Sequence, residues 1–205
     1  MSDHEHLLKF SIPQLLRWRV AQTPHITALR GKDYGIWNTY TWEAYYDYVR
    51  KTGMGLRAMG IEKGDTIAII SDNIPELLFV AIGGHAIGAI SAGIYQTTMP
   101  AEIAQIIQYL KVSIVFCDNQ EQVDKVREVR DQIPNVRKVI FEDPRGMRDY
   151  MKDDWFIDIQ ELYRMGDEVH AKDPDLFESL VDQGKPEDVC HLCLTSGTTG
   201  LPKGT

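Results

Sequence analysis

The stretch "DTIAIISD", Asp65 to Asp72, with "LLFVAIGGHAIGAISAGI", Leu77 to Ile94, decides the fold. The first is an apolar run closed by acids, the pattern of a strand buried on both faces. The second has His85 as its single ionisable residue, and its length alone would suit a membrane span. Pro75 and Glu76 stand just ahead of it, however, and Gly83, Gly84, Gly88 and Gly93 interrupt it. It reads instead as a buried helix running into a buried parallel strand, which makes His85 a hydrogen-bonded core histidine rather than a ligand. Strand, helix and strand in that order are a βαβ unit.

The same alternation extends in both directions. Upstream, Ser11 and Gln14 make a capping box with Pro13 in the first turn, so a helix runs to about Gln22. "TALRG" and "NTYT" are two strands joined by the turn-rich "GKDYGIW". Thr41 caps a helix whose apolar face is Trp42, Tyr45, Tyr46, Val49, Leu56 and Met59, and Gly60 ends it. Downstream, Pro100 opens a helix with Ile103, Ile106, Ile107 and Leu110 on one face. "SIVFCD" is a strand, Asn119 caps a helix, and "KVIFED" is a further strand. Asp143 to Phe156 reads as an irregular polar surface loop, followed by a helix near 157–169 and a poorly defined stretch. "EDVCHLCLTSGTTG" then runs from strand into loop. The expected fold class is α/β: an open, mostly parallel sheet with helices on both faces. In such sheets ligands sit at the carboxyl ends of the strands.

Composition narrows the function classes. The chain has 205 residues, 43% apolar and 25% charged, with a net charge of −8 and no cluster of Lys and Arg. A basic face for nucleic acid is absent from the sequence, so no nucleic-acid partner is expected. Three cysteines are too few for a disulfide framework. Cys190 and Cys193 form a C-x-x-C, but on a strand residues three apart point to opposite faces, so the thiols diverge. Both read as small buried apolar residues, as does Cys117. "MSDHEHLLKF" carries acids and histidines where a signal peptide would be apolar.

The candidate site is "LTSGTTGLPKGT", Leu194 to Thr205. A loop that cradles phosphate needs glycines so that backbone N–H groups can approach, hydroxyls to donate to phosphate oxygens, and a cation. This loop has all three, directly after a strand. Pro202 before Lys203 and Gly204 after it exclude the G-x-x-x-x-G-K-[ST] loop of other nucleotide-binding proteins, and the G-x-G-x-x-G fingerprint is absent. Residue chemistry alone leaves a plain Ser/Thr/Gly loop open as well.

"LTSGTTGLPKG" resembles the signature of the adenylate-forming (AMP-binding) superfamily, aromatic-T-S-G-[ST]-T-G-x-P-K-G. It matches from Thr195 to Gly204 and departs at Leu194, where an aromatic is usual. "GLRAMGIEKGDTIAIISDNIPE" and "AIGAISAGIYQTTMPAEI" are similar to the opening of that family's large N-terminal domain. "CDNQEQVDKVREVRDQIPNVRKVIFEDPRG" resembles the bacterial long-chain fatty acyl-CoA synthetase branch. The resemblance implies that residues 1–205 are the N-terminal portion of an AMP-binding domain, ending just after the phosphate loop and lacking the C-terminal domain.

It also implies ATP-dependent activation of a carboxylate to an acyl-adenylate, then transfer to the thiol of coenzyme A. The parent protein would be a fatty acid–CoA ligase, and the chain alone inactive. Thr195, Ser196, Gly197, Thr198, Thr199, Gly200 and Lys203 would hold the phosphates of ATP. Thr198 or Thr199 would reach Mg²⁺. No residue of this chain is identified as a catalytic acid, base or nucleophile. Fatty acid and ATP would be the small-molecule partners, a homodimer a candidate assembly, and the cytoplasm the location, soluble or peripheral at a membrane surface. The alternatives are an adenylating enzyme for another carboxylic acid, or a non-catalytic nucleotide-binding or assembly module.

Overall fold

The computed structural model describes residues 5–195 and 203–204. A helix, α1 (Ile12–Gln22), precedes a hairpin of β1 (Thr27–Asp33) and β2 (Ile36–Thr41), which leads into α2 (Trp42–Ala58). Gln14 Oε1 accepts from the Ser11 amide at 3.0 Å, and Thr41 Oγ1 from the Ala44 amide at 3.1 Å, so both expected helix starts are present. The hairpin turn is only Tyr34–Gly35, with φ of 45° and 83°. Two left-handed residues in succession match the right-handed twist of the flanking strands.

The main sheet follows from β3 (Thr66–Ile70), α3 (Pro75–Ala86), β4 (Ile90–Gly93), α4 (Pro100–Tyr109), β5 (Val112–Cys117), α5 (Gln120–Glu128) and β6 (Lys138–Phe141). It is completed by β7 (Phe156–Asp158), which leads into α6 (Ile159–Lys172) and α7 (Leu176–Gln183), and by β8 (His191–Leu192), which follows them. The six strands lie in the order β7-β6-β5-β3-β4-β8, and every pairing is parallel. This is the α/β fold expected from the sequence.

Each residue of β3 and β5 is buried, because helices cover both faces. Ile67, Ile69, Ile114 and Phe116 face a core shared with Phe79, Leu162 and Phe177. Their neighbours Ala68, Ile70, Val115 and Cys117 face a second core with Ile103, Ile107, Val123 and Trp155. The strand period of two thus divides one apolar run between two layers. Against the first face, α2 packs unusually close to its neighbours. A Cβ on Gly53 would lie 2.8 Å from the Gly83 carbonyl oxygen of α3, and one on Gly166 of α6 would run into the Lys51 carbonyl.

Three expectations are corrected. Asp143 to Phe156 is not a plain surface loop: it contains a 3₁₀ segment, Met147–Lys152, and buries Met147, Trp155 and Phe156. Trp155 Nε1 donates to the Val136 carbonyl at 2.9 Å, which satisfies the indole inside the second core. The undefined stretch after residue 169 holds the end of α6 and all of α7, whose Phe177 and Val181 are buried one turn apart. Finally, the strand before the loop is shorter than its apolar run. Only His191 and Leu192 join the main sheet, Cys190 is half-buried and Cys193 is exposed, so the two thiols are not a buried apolar pair.

Candidate phosphate-binding site

The carboxyl ends of β3, β4 and β5 form one rim of the sheet, and their loops brace one another. Asp118, after β5, is buried; its Oδ2 accepts from the Asp72 amide at 2.8 Å and from Gln96 Nε2 at 2.6 Å. Burial raises its pKa above the ordinary aspartate value, and the Asp72 amide partly offsets that. Lys125 Nζ on α5 donates to the Gln96 carbonyl at 2.5 Å and pairs with Glu121 at 2.9 Å. One carboxylate thus ties the three loops together where open parallel sheets take their ligands.

Glu142, just beyond β6, is also at this rim. Burial, followed by the charges of Glu76, Asp143 and Asp33, pushes its pKa up to about 7. Tyr40 lies 3.4 Å from Glu76 Oε1, which ties β2 to the start of α3.

The candidate loop leaves the same rim. Because β8 runs parallel to β4, its carboxyl end emerges beside that of β4. Leu194 then packs against the second core and opens a two-stranded antiparallel ribbon of β9 (Leu194–Thr195) and β10 (Lys203–Gly204). The register sets Lys203 opposite Thr195 and Gly204 opposite Leu194. The two ends of the motif are thereby brought together. A leucine where the superfamily usually has an aromatic still supplies an apolar anchor at the hairpin's base.

Of the residues expected to hold phosphate, the structure places the backbones of Thr195 and Lys203 and pairs them. Ser196, Gly197, Thr198, Thr199 and Gly200 lie outside the described residues, and so do both threonines assigned to Mg²⁺. Among the described residues no group of three or more His, Cys, Asp or Glu could hold a metal ion. Nor is any helix there long and apolar enough to cross a membrane.

Sequence reasoning missed two features of the site: the Asp118 brace, and a cluster in which the Ser91 hydroxyl of β4 meets His85 of α3 and His191 of β8. His85 was expected to be a hydrogen-bonded core histidine; it is hydrogen-bonded but half-buried. Its partner Ser91 is six positions away, but the third member, His191, arrives by strand pairing between residues 100 positions apart, for which no local signal exists.

Comparison with known proteins agrees with this geometry. The chain is 28% identical over 200 residues to the long-chain-fatty-acid–CoA ligase ACSBG1 of Rattus norvegicus, covering 96% of this chain and 26% of that protein. It is 33% identical over 181 residues to the Bos taurus protein of the same name, covering 87% and 24%. The chain therefore spans about a quarter of the length of these curated relatives. Among solved structures, the acetoacetyl-CoA synthetase from Streptomyces lividans superimposes with a TM-score of 0.74 at 19% identity, over 96% of this chain and 30% of that one. A Mycobacterium tuberculosis fatty acyl CoA synthetase gives 0.66 at 17% identity, over 97% and 34%. At such identities the superpositions speak for the fold, the parallel sheet with helices on both faces. The model of the AMP-binding enzyme family matches residues 16–205, from α1 through the whole hairpin, and the chain belongs to that family.

Proposed function

We propose that the chain is the N-terminal portion of the large domain of a long-chain-fatty-acid–CoA ligase, and that its own task is to grip the phosphates of ATP. The observation that carries this reading is the hairpin base: β9 and β10 close the Ser/Thr/Gly loop at the carboxyl rim of a parallel sheet. In that role Thr195, Ser196, Thr198 and Thr199 donate hydroxyl hydrogen bonds to phosphate oxygens. Gly197 and Gly200 let backbone amides approach, and Lys203 places a positive charge on the leaving pyrophosphate. Hydroxyl oxygens are hard donors that suit Mg²⁺, so Thr198 or Thr199 would hold the ion, which would offset the negative charge of the phosphates.

Activation of the carboxylate then depends on positioning and charge stabilisation, with no covalent step on this chain. Fatty acid and coenzyme A complete the proposed reaction, and the cytoplasm, which supplies ATP and coenzyme A, is its proposed setting. The test is fatty-acid-dependent ATP–pyrophosphate exchange by the complete ligase. Long-chain acids should support exchange, Lys203→Ala should slow it about 100-fold, and the 205-residue chain alone should show none. Exchange that ignores fatty acid, or that survives Lys203→Ala intact, would refute the reading.

A further inference from the structure

Ser91 is 1% exposed and sits at the junction of three elements. Its Oγ lies 2.9 Å from His85 Nε2 on α3, 2.7 Å from His191 Nδ1 on β8, and 3.3 Å from the Cys190 carbonyl. Its backbone amide donates to that same carbonyl at 2.9 Å. The strand held in this way is only His191–Leu192, with the pairings Ser91↔His191 and Ala92↔Leu192. One buried serine therefore grips, through main chain and side chain together, the short strand that delivers the hairpin.

The proton positions follow from the partners. Burial, then the neighbouring His191, lowers the pKa of His85 to about 4, so near neutral pH it carries a single ring proton. Its Nδ1 is buried and meets no partner. A bare acceptor there is cheaper than a stranded N–H, which puts the proton on Nε2. His85 Nε2–H then donates to Ser91 Oγ, and the serine hydroxyl donates along the shorter contact to His191 Nδ1. The result is a directed chain from helix to central strand to edge strand, and each link constrains the next.

We propose that His85, Ser91 and His191 are positioning residues for phosphate binding: the relay clamps β8 to β4 and so fixes where the hairpin leaves the sheet. The nucleotide role rests on the phosphate-loop reading above; the clamp does not. A ladder this short at a sheet edge frays unless side chains hold it, and a loop that binds through backbone amides loses affinity when its base moves.

The test is amide hydrogen exchange on the 205-residue chain, with and without MgATP, in the wild type, His191→Ala, His191→Asn and Ser91→Ala. His191 is on the exposed edge, so its variants keep the test alive even if Ser91→Ala fails to fold. His191→Ala should speed exchange at residues 190–195 about tenfold and leave β3 and β5 unchanged. His191→Asn, which retains a polar acceptor near the Nδ1 position, should recover most of the protection. Imidazole ¹⁵N shifts of the wild type should show a hydrogen-bonded His191 Nδ1, and Ser91→Ala should alter them. MgATP should protect residues 194–204 more in the wild type and His191→Asn than in His191→Ala. Unchanged exchange at 190–195 in both alanine variants, or equal acceleration in β3 and β5, would overturn the clamp. Absence of MgATP protection in the wild type would overturn the phosphate-loop reading and the nucleotide role with it, whatever the 190–195 comparison shows.

Discussion

The centre of the sheet and its loop-bearing edge are held by different physics. In β3 and β5 each residue is buried and the side chains are almost all aliphatic or aromatic, so the hydrophobic effect sets position and register together. At β8 two residues pair with β4, His191 is exposed, and the contacts that fix it run through the Ser91 hydroxyl and the Cys190 carbonyl. Area burial makes a scaffold that tolerates little change. Hydrogen bonds make an attachment that is specific but weak, which suits an element carrying a ligand loop.

The largest test of this contrast is at the centre. Phe116 is fully buried in β5, beside its register partner Ile140 in the first core. Phe116→Ala should cost about 3–5 kcal/mol, measured by urea unfolding, and should expose the whole sheet cooperatively. A loss confined to the edge would contradict a centre that sets the whole. Gly166→Ala comes next. Its Cβ would meet the Lys51 carbonyl, and the α2–α6 contact would have to open. Overpacking of this kind costs about 1–3 kcal/mol, and unfolding midpoints unchanged from wild type would show that α6 moves freely against α2.

The rim offers a pH-dependent test. Glu142 has a folded pKa of about 7, above its unfolded value, so folding takes up a proton between roughly pH 4.5 and 7. Its contribution is therefore present in acid and is lost as pH rises through 7. His85, at about 4 when folded, acts in the opposite sense: its contribution is present above its unfolded pKa and is lost as pH falls towards 4. The two oppose each other between about pH 4.5 and 6.5, and above that Glu142 acts alone. Thermal unfolding of Glu142→Gln should show a gain over wild type that is larger at pH 8 than at pH 5. An equal gain at both values would mean that the carboxyl does not feel its neighbours.

The same contrast explains what the sequence could reveal. The central strands, α2 to α5 and the hairpin turn are legible because burial leaves a period and caps leave Ser11, Thr41 and Asn119 in place. The loop motif is legible because its residues are contiguous. The 3₁₀ segment was misread because Met147, Trp155 and Phe156 are apolar residues without a period, brought together by tertiary contact. In α7 a signal existed in Leu176, Phe177, Leu180 and Val181, but eight residues give too few turns to stand out. The Ser91 relay was invisible because register between distant strands is not written locally.

The smallest expected effect belongs to the edge's other tether. Lys63, ahead of β3, donates to both carboxylate oxygens of Asp188, ahead of β8, at 2.9 and 3.0 Å. That lysine and the Lys185 amide hold Asp188 below the ordinary carboxylate range. A depressed carboxylate contributes above its unfolded pKa and stops contributing as pH falls through its folded one, so the tether works near neutrality and fails in acid. The pair is exposed, and such pairs are screened by salt and add little. Lys63→Gln should therefore lower the unfolding midpoint slightly at neutral pH in dilute buffer, and about 0.5 M salt should erase the difference. It should also leave exchange at residues 190–195 close to wild type, where His191→Ala does not. If Lys63→Gln instead loosened β8 as much as His191→Ala, the edge would be held by charge at its entry, and the buried serine would be one contact among several.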